Sequence, residues 1–340
     1  MRIGIAGTGR IGARHAGVVA NHAEVDTLIL ADDLPGRADS VGAGLPNTEV
    51  AAGIDELFAS DLDGLVIATA TGAHADLIER ACEAGIPVFC EKPVALDAER
   101  TRQVAATGTR TGVPVQIGFQ RRFDPGYQEA RRRVVNGDLG SVRRVHVVSA
   151  DPAAPDASFI PTSGGIFADL HIHDFDVIRW VTGHEIVEVY VTGVTRGADY
   201  FAASNDFDET VAVLTLDDGT LATLQGSRYN GAGYDVRMEI AGTKGTHVAG
   251  LCERTPVTST EPGENFPGGD PWMLFYDRFN HAYTAELNAF IDVAAGRTAS
   301  PSTVQDALAA FYVAEAADRS KRSKQPERVQ LVTLEPAEST

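Results

Sequence analysis

The feature that most restricts this chain is the rhythm of residues 1–120, where short apolar runs alternate with amphipathic stretches of helical length. Runs at residues 3–6, 27–31, 64–69, 87–90 and 114–118, and a weaker one at 48–51, suit strands and are too short for helices. Helix-like segments open near Arg10, Arg37, Asp55, His74 and Asp97, several with capping residues. A strand covered on both faces reads as a continuous apolar run, so this alternation predicts an α/β, doubly wound parallel sheet of the Rossmann type. The rhythm changes after Gly140. Residues 142–149, 186–194, 209–216, 220–227, 234–240 and 246–249 read as strands of a second sheet, with Asp217-Asp218-Gly219 supplying a hairpin turn. Helical stretches fall at 166–181, 276–295 and 304–320. These predict a C-terminal α+β domain with an open-faced, mainly antiparallel sheet. The domains are placed at 1–120 and 121–335, with the C-terminal helices expected to pack back on the first. Residues 255–271 read as a long surface loop and 336–340 as a frayed tail.

Composition narrows the function classes. A chain of 340 residues, 44% hydrophobic, can bury the cores of two domains. Its net charge of -18 argues against nucleic acid or an anionic membrane surface as partner, because phosphate binding needs clustered positive charge. A neutral small molecule suits it better. Cys82, Cys90 and Cys252 form neither a disulfide framework nor a zinc pattern, which fits a reducing compartment. With no leader pattern and no apolar run near the ~20 residues that span a bilayer, the expected location is the cytoplasm.

Gly7-Thr8-Gly9-Arg10-Ile11-Gly12 fits G-x-G-x-x-G between the first strand and the first helix. There the first glycine permits a tight turn, the second lets a pyrophosphate approach the backbone, and the helix N-terminus favours its charge. Asp32 ends the second strand, where a carboxylate accepts hydrogen bonds from a ribose 2′-hydroxyl. With Asp33 it would repel a 2′-phosphate, so NAD is expected over NADP, Arg37 being the one nearby cation that argues the other way. His15, on the first helix, is expected to pack or cap.

Glu91-Lys92-Pro93 follows an apolar strand and sets Lys92 at the carboxyl edge of the parallel sheet, where ligands bind in such folds. Further on, the run Gly164 to Asp176 contains Asp169, His171, His173, Asp174 and Asp176. On one continuous helix, Asp169, His173 and Asp176 would share a face, with His171 and Asp174 on the other side. Carboxylates and an imidazole on one stripe supply acid–base groups and hydroxyl partners together. Helical geometry keeps His171 and His173 apart, and no metal site is expected.

The N-terminal glycine motif, Glu91-Lys92-Pro93 and the Asp169-x-x-x-His173 pair together resemble the Gfo/Idh/MocA family of sugar and polyol dehydrogenases over nearly the whole chain. Residues 118–124 and 169–176 look most like inositol 2-dehydrogenases, with Gln120 a departure where related enzymes often carry methionine. The resemblance implies that Lys92 hydrogen-bonds the reacting hydroxyl, His173 accepts its proton and Asp169 orients the pair. Lys92 with a depressed pKa is an alternative base. It also implies a cofactor set of Gly7, Gly9, Arg10, Ile11, Gly12, Asp32, Asp33, Arg37, Thr69, Thr71, His74, Glu91 and Lys92. Arg121, Asp176 and Tyr234 join Lys92, Asp169 and His173 as substrate contacts. The second domain would bind substrate and build a homo-oligomer, a dimer or tetramer. NAD-dependent oxidation of myo-inositol is the first expectation; another sugar oxidoreductase or a non-catalytic NAD-sensing regulator are the alternatives.

Overall fold

The computed structural model describes residues 1–264, 266 and 268–332, and the tail expected at 336–340 lies outside them. The chain divides into two compact units. Unit 1 holds Met1–Gln120 and His281–Leu308; unit 2 holds Arg121–Asn280 and residues 309–332.

Unit 1 begins β1 (Arg2–Ala6), α1 (Arg10–Ala20), β2 (Thr27–Ala31), α2 (Arg37–Gly42), β3 (Thr48–Val50) and α3 (Ile54–Phe58). It continues β4 (Gly64–Ile67), α4 (His74–Glu83), β5 (Val88–Glu91), α5 (Ala98–Thr111) and β6 (Val115–Gly118). The six strands are parallel in the order β3-β2-β1-β4-β5-β6, which reverses direction of growth at β1 and β4 and makes their carboxyl ends the ligand edge. Ile3, Ile5, Leu28, Leu30, Val66 and Phe89 form the buried core with Ala16 and Val19 of α1 and with Leu287, Phe290 and Ile291 from later in the chain. Local chemistry sets the helix starts where it can. The Asp97 side chain accepts the Arg100 N–H at 2.7 Å and caps α5.

Unit 2 contains α6 (Pro125–Val135), β7 (Val142–Ala150), α7 (Gly165–Asp169), α8 (Ile172–Thr182), β8 (Ile186–Val194), α9 (Asp199–Ala203) and β9 (Glu209–Leu216). β10 (Leu221–Ser227), β11 (Asp235–Gly242), β12 (Thr246–Ala249) and α10 (Phe275–Arg278) follow. After α11 (Asn280–Ala294) and α12 (Val304–Ser323), which carry the chain through residues 281–308 of unit 1, β13 (Glu327–Arg328) completes the sheet. Its order is β12-β11-β7-β10-β9-β8-β13, antiparallel except for the β7–β10 pair. One face is buried, as in the alternation of β10, and the other leaves Tyr190, Val194, Val211, Val213 and Leu221 exposed.

Two helical stretches differ from expectation. Residues 276–295 divide into α10 and α11, and 166–181 into α7 and α8. At the second break both Leu170 N–H and His171 N–H donate to the Ile166 carbonyl, so the regular ladder stops there. The His171 ring is the physical reason. It is buried, with Nδ1 2.8 Å from Asp174 Oδ2 and Nε2 2.7 Å from Thr210 Oγ1 of β9. The same Asp174 carboxylate takes the Ser149 hydroxyl at 2.7 Å and the buried Arg121 guanidinium. Burial would raise the Asp174 carboxyl, but Arg121, His171 and Ser149 outweigh it and hold it below its usual value. Its stabilisation is therefore present above the unfolded carboxylate pKa and is lost as pH falls through the lower folded one.

Asp174→Asn would leave Arg121 charged and buried without its counter-ion, a loss expected at about 3–5 kcal/mol. Thermal melting checks it: the variant should melt well below the parent at pH 7, and the gap should narrow as acid protonates the parent's own carboxylate.

Candidate functional site

At the carboxyl end of β1 the chain turns at Gly7, whose φ is +91°. A Cβ there would sit 2.6 Å from the Ala68 carbonyl oxygen, and one on Gly12 would sit 2.0 Å from the Gly7 carbonyl oxygen. Both glycines are thus required by packing. Gly9 has nothing within 4 Å of its Cβ position, which leaves open backbone at the start of α1 where a pyrophosphate fits. Arg10 and Ile11 follow on the first turn of that helix.

Asp32 closes the other side. Its carboxylate accepts the Thr8 N–H at 2.7 Å, the Thr8 hydroxyl at 2.9 Å and the Leu34 N–H at 2.9 Å, with Arg37 Nη1 at 3.4 Å. Burial pushes this carboxyl up, but the two backbone donors, the hydroxyl and Arg37 together bring it below its usual value. It is charged at neutral pH. It borders a 270 Å³ cleft lined also by Leu34, Gly36, Asp39, Val50 and Glu56, while Asp33 and Arg37 lie exposed beside it. An acidic cleft of this kind suits a neutral ribose and opposes a phosphate on it. The residues present therefore fit NAD.

Thr69 lies just beyond β4, and Thr71 in the short turn before α4. His74, expected to contact the cofactor, is buried at the start of α4. The ring is 2% exposed, with Nδ1 2.8 Å from the Pro93 carbonyl and Nε2 3.1 Å from the Thr69 carbonyl. The ring thus lies between the Lys92–Pro93 turn, whose peptide bond is cis, and the residues that follow β4. Glu91 is likewise engaged: its Oε1 lies 2.7 Å from Nε2 of the fully buried His15.

In unit 2 the break between α7 and α8 ends the single-stripe geometry. Asp169 is the last residue of α7, while His173 and Asp176 belong to α8. Asp169 and His173 are half-buried, whereas Asp176 is 1% exposed and is clasped by Arg122, Nε to Oδ2 at 2.9 Å and Nη2 to Oδ1 at 2.5 Å. Arg121, 2% exposed, is bound to Asp174 and to Ser149. Tyr234 is 6% exposed, and burial raises its hydroxyl well above the ordinary tyrosine value against the pull of Arg121. Arg121 and Asp176 are thus each held by a buried counter-charge within this unit, and Tyr234 is buried in the same unit. The reason is desolvation: buried charges take the nearest counter-charge.

One functional neighbour escaped sequence reasoning. Arg228, 3% exposed at the end of β10, places Nη2 2.7 Å from Asp169 Oδ2 and Nη1 3.1 Å from Asp151 Oδ2. Nothing in the local pattern around residue 228 links it to residue 169, so only the fold could reveal the pair.

A Rossmann sheet with a glycine cradle and an acidic ribose cleft defines an NAD-dependent oxidoreductase. Residues 1–119 match the oxidoreductase family with NAD-binding Rossmann fold, and residues 127–248 match the GFO/IDH/MocA C-terminal domain. The chain belongs to the Gfo/Idh/MocA family. It is 38% identical over 330 residues to a myo-inositol dehydrogenase of Streptomyces leeuwenhoekii, covering 95% of this chain and 98% of that protein. It is 38% identical over 326 residues to an inositol 2-dehydrogenase of Rhizobium meliloti, covering 95% and 98% respectively. The crystal structure of scyllo-inositol dehydrogenase from Lactobacillus casei with NAD(H) and scyllo-inositol superposes with a TM-score of 0.87, at 31% identity over 96% of this chain and 98% of that one.

If Asp32 and Asp33 set the choice of dinucleotide, Asp32→Ser combined with Asp33→Arg should move the kcat/KM ratio from NAD towards NADP by about tenfold or more, since repulsion is exchanged for a phosphate partner. Steady-state rates with both cofactors decide it; a parental protein that already prefers NADP would overturn the assignment.

Proposed function

We propose that the protein oxidises one ring hydroxyl of a cyclic polyol, myo-inositol to 2-keto-myo-inositol (scyllo-inosose) being the first assignment. The observation that carries this reading is the likeness to inositol dehydrogenases through both units, in a chain that keeps Lys92, Asp169 and His173. Unit 1 is assigned cofactor binding and unit 2 substrate binding and assembly.

A hydroxyl gives up its carbon-bound hydrogen with two electrons only as its proton is removed, so a positioned base is needed. His173 takes that role because imidazole titrates nearest neutrality. Lys92 hydrogen-bonds the reacting oxygen and stabilises the charge that develops on it. Asp169 orients these groups, and the Arg228 guanidinium holds its carboxylate in place. Gly7, Gly9 and Gly12 with α1 would hold the pyrophosphate and Asp32 the adenosine ribose. NAD, when bound, supplies the two-electron acceptor.

The test is NADH formation with myo-, scyllo- and D-chiro-inositol, glucose and sorbitol at equal concentration and alkaline pH. Inositols should be oxidised fastest, with epimers about tenfold to a hundredfold apart, since a misplaced hydroxyl leaves a buried partner unsatisfied at about 1–3 kcal/mol. Lys92→Ala and His173→Asn should each lower kcat by about 10²-fold or more while NAD still binds. Activity on a pyranose and on no inositol would replace the substrate and keep the chemistry; near-parental turnover by either variant would remove that residue's role.

The exposed Tyr190, Val211, Val213 and Leu221 on the outer face of the unit 2 sheet support a homo-oligomer formed through this surface, a dimer or tetramer. Sedimentation equilibrium should find an assembly in the parent and a smaller species in Val211→Lys/Val213→Glu; a monomeric parent would refute it. A cytoplasmic location suits the three free cysteines, Cys82 and Cys90 being buried. Among the described residues no helix is long and apolar enough to cross a membrane.

A further inference from the structure

Glu286 on α11 is fully buried, and neither of its carboxyl oxygens has a hydrogen-bond partner. Its backbone is fixed, because the Gln116 side chain of β6 donates to its carbonyl at 2.8 Å. Two other titratable side chains share its surroundings. His15 of α1 and Glu91 at the end of β5 each bring a ligating atom so that the three atoms lie within 4.8 Å of one another. His15 Nε2 is 2.7 Å from Glu91 Oε1, and its Nδ1 has no partner. The imidazole is walled by Phe89, edge-on at 5.4 Å between centroids, and by Tyr283 at 6.1 Å. Gly118, opposite Glu91 in β6, leaves the room: a Cβ there would lie 3.1 Å from Glu91 Oε2.

Two ionised carboxylates this close in a core repel each other and lose their hydration, so one of them takes up a proton. Glu91 is the partly exposed member and has the imidazole as partner; Glu286 is fully buried. No side chain among the described residues hydrogen-bonds to its carboxyl oxygens. α1 carries Arg10, Arg14 and His15, β5 ends in Glu91 before Lys92, β6 gives Gln116 and Gly118, and α11 gives Tyr283 and Glu286. Of these charges Glu91 is the one that acts on Glu286, adding to burial in driving its carboxyl well above the usual range.

We propose that His15, Glu91 and Glu286 form a buried proton-holding cluster, Glu286 being its neutral carboxyl, that ties the strand end bearing Lys92 to the helix bearing the glycine turn. Glu286 is a positioning residue: as the neutral member of the pair it leaves Glu91 bound to His15, and that bond fixes Lys92's turn against the dinucleotide cradle. The positioning role rests on the assignment of Lys92 above; the held proton does not.

The sign of the pH effect follows from linkage. A carboxyl whose folded pKa is raised contributes stability that is fully present below the unfolded value of ~4.3 and is lost as pH rises towards the folded pKa. Glu286→Gln cannot ionise in either state and escapes that loss. The Tm of E286Q minus that of the parent should therefore be smallest near pH 5 and grow by several degrees, on the order of 2–4 °C per pH unit, towards pH 8. A difference constant across this range would overturn the held proton. For the positioning role, Glu286→Ala should lower kcat about tenfold or more with NAD affinity within about threefold, and E286Q should restore most of the rate. E286Q as slow as E286A, or E286A as fast as the parent, would overturn it. If Lys92→Ala keeps full turnover, the reading of Lys92 fails instead, and the melting series still decides the proton.

Discussion

Removing a guanidinium or a carboxylate from water costs several kcal/mol unless a counter-charge and hydrogen bonds go with it. Unit 2 is organised around that constraint. Arg121 meets Asp174, Arg122 meets Asp176, Arg228 bridges Asp169 and Asp151, and Arg278 lies 2.7 Å from Asp124. These pairs join segments far apart in the chain, so they fix where helix, strand and loop ends sit. Asp124 shows how one group serves two scales, capping α6 through the Gly126 and Tyr127 N–H groups while holding Arg278. At the break between α7 and α8 the buried His171 ring completes the Asp174 network while its carbonyl opens α8.

The consequence for chemistry is a division of labour among acids that look alike in sequence. Asp174 and Asp176 are held by buried partners, while Asp169 is half-buried and paired with Arg228. A carboxylate fixed in this way keeps its direction, which is what orienting a base or a polyol hydroxyl requires.

Unit 1 uses steric exclusion where unit 2 uses charge. Two glycines allow backbone to meet backbone at Gly7 and Gly12, the third keeps a surface open, and one carboxylate held by four donors sets the sign of the ribose cleft. The carbonyl ties made by His74 and the Glu91–His15 bond then fix the strand end that follows. Glu286 is buried with neither a counter-charge nor a hydrogen bond to its carboxyl oxygens among the described residues, and neutrality is the remaining way for it to satisfy the same constraint.

What the sequence by itself determined is what short-range physics encodes. Continuous apolar runs announced a buried parallel sheet, the spacing of Gly7, Gly9 and Gly12 announced a phosphate cradle, and Asp32 at a strand end announced the ribose acid, because each signal lies within one turn or one strand. The alternation after Gly140 likewise announced the second sheet nearly residue by residue, since period-two patterning is local. Tertiary structure alone decided which charges meet. A single helix through residues 166–181 was the fair reading of local propensity, and it was overridden by a histidine whose partner Thr210 lies on a distant strand. Arg228 reaches Asp169, and Glu286 comes beside Glu91, only after the chain has folded back on itself. Electrostatic partners are chosen by proximity in space and by the cost of desolvation, and neither quantity is written in the order of residues along the chain.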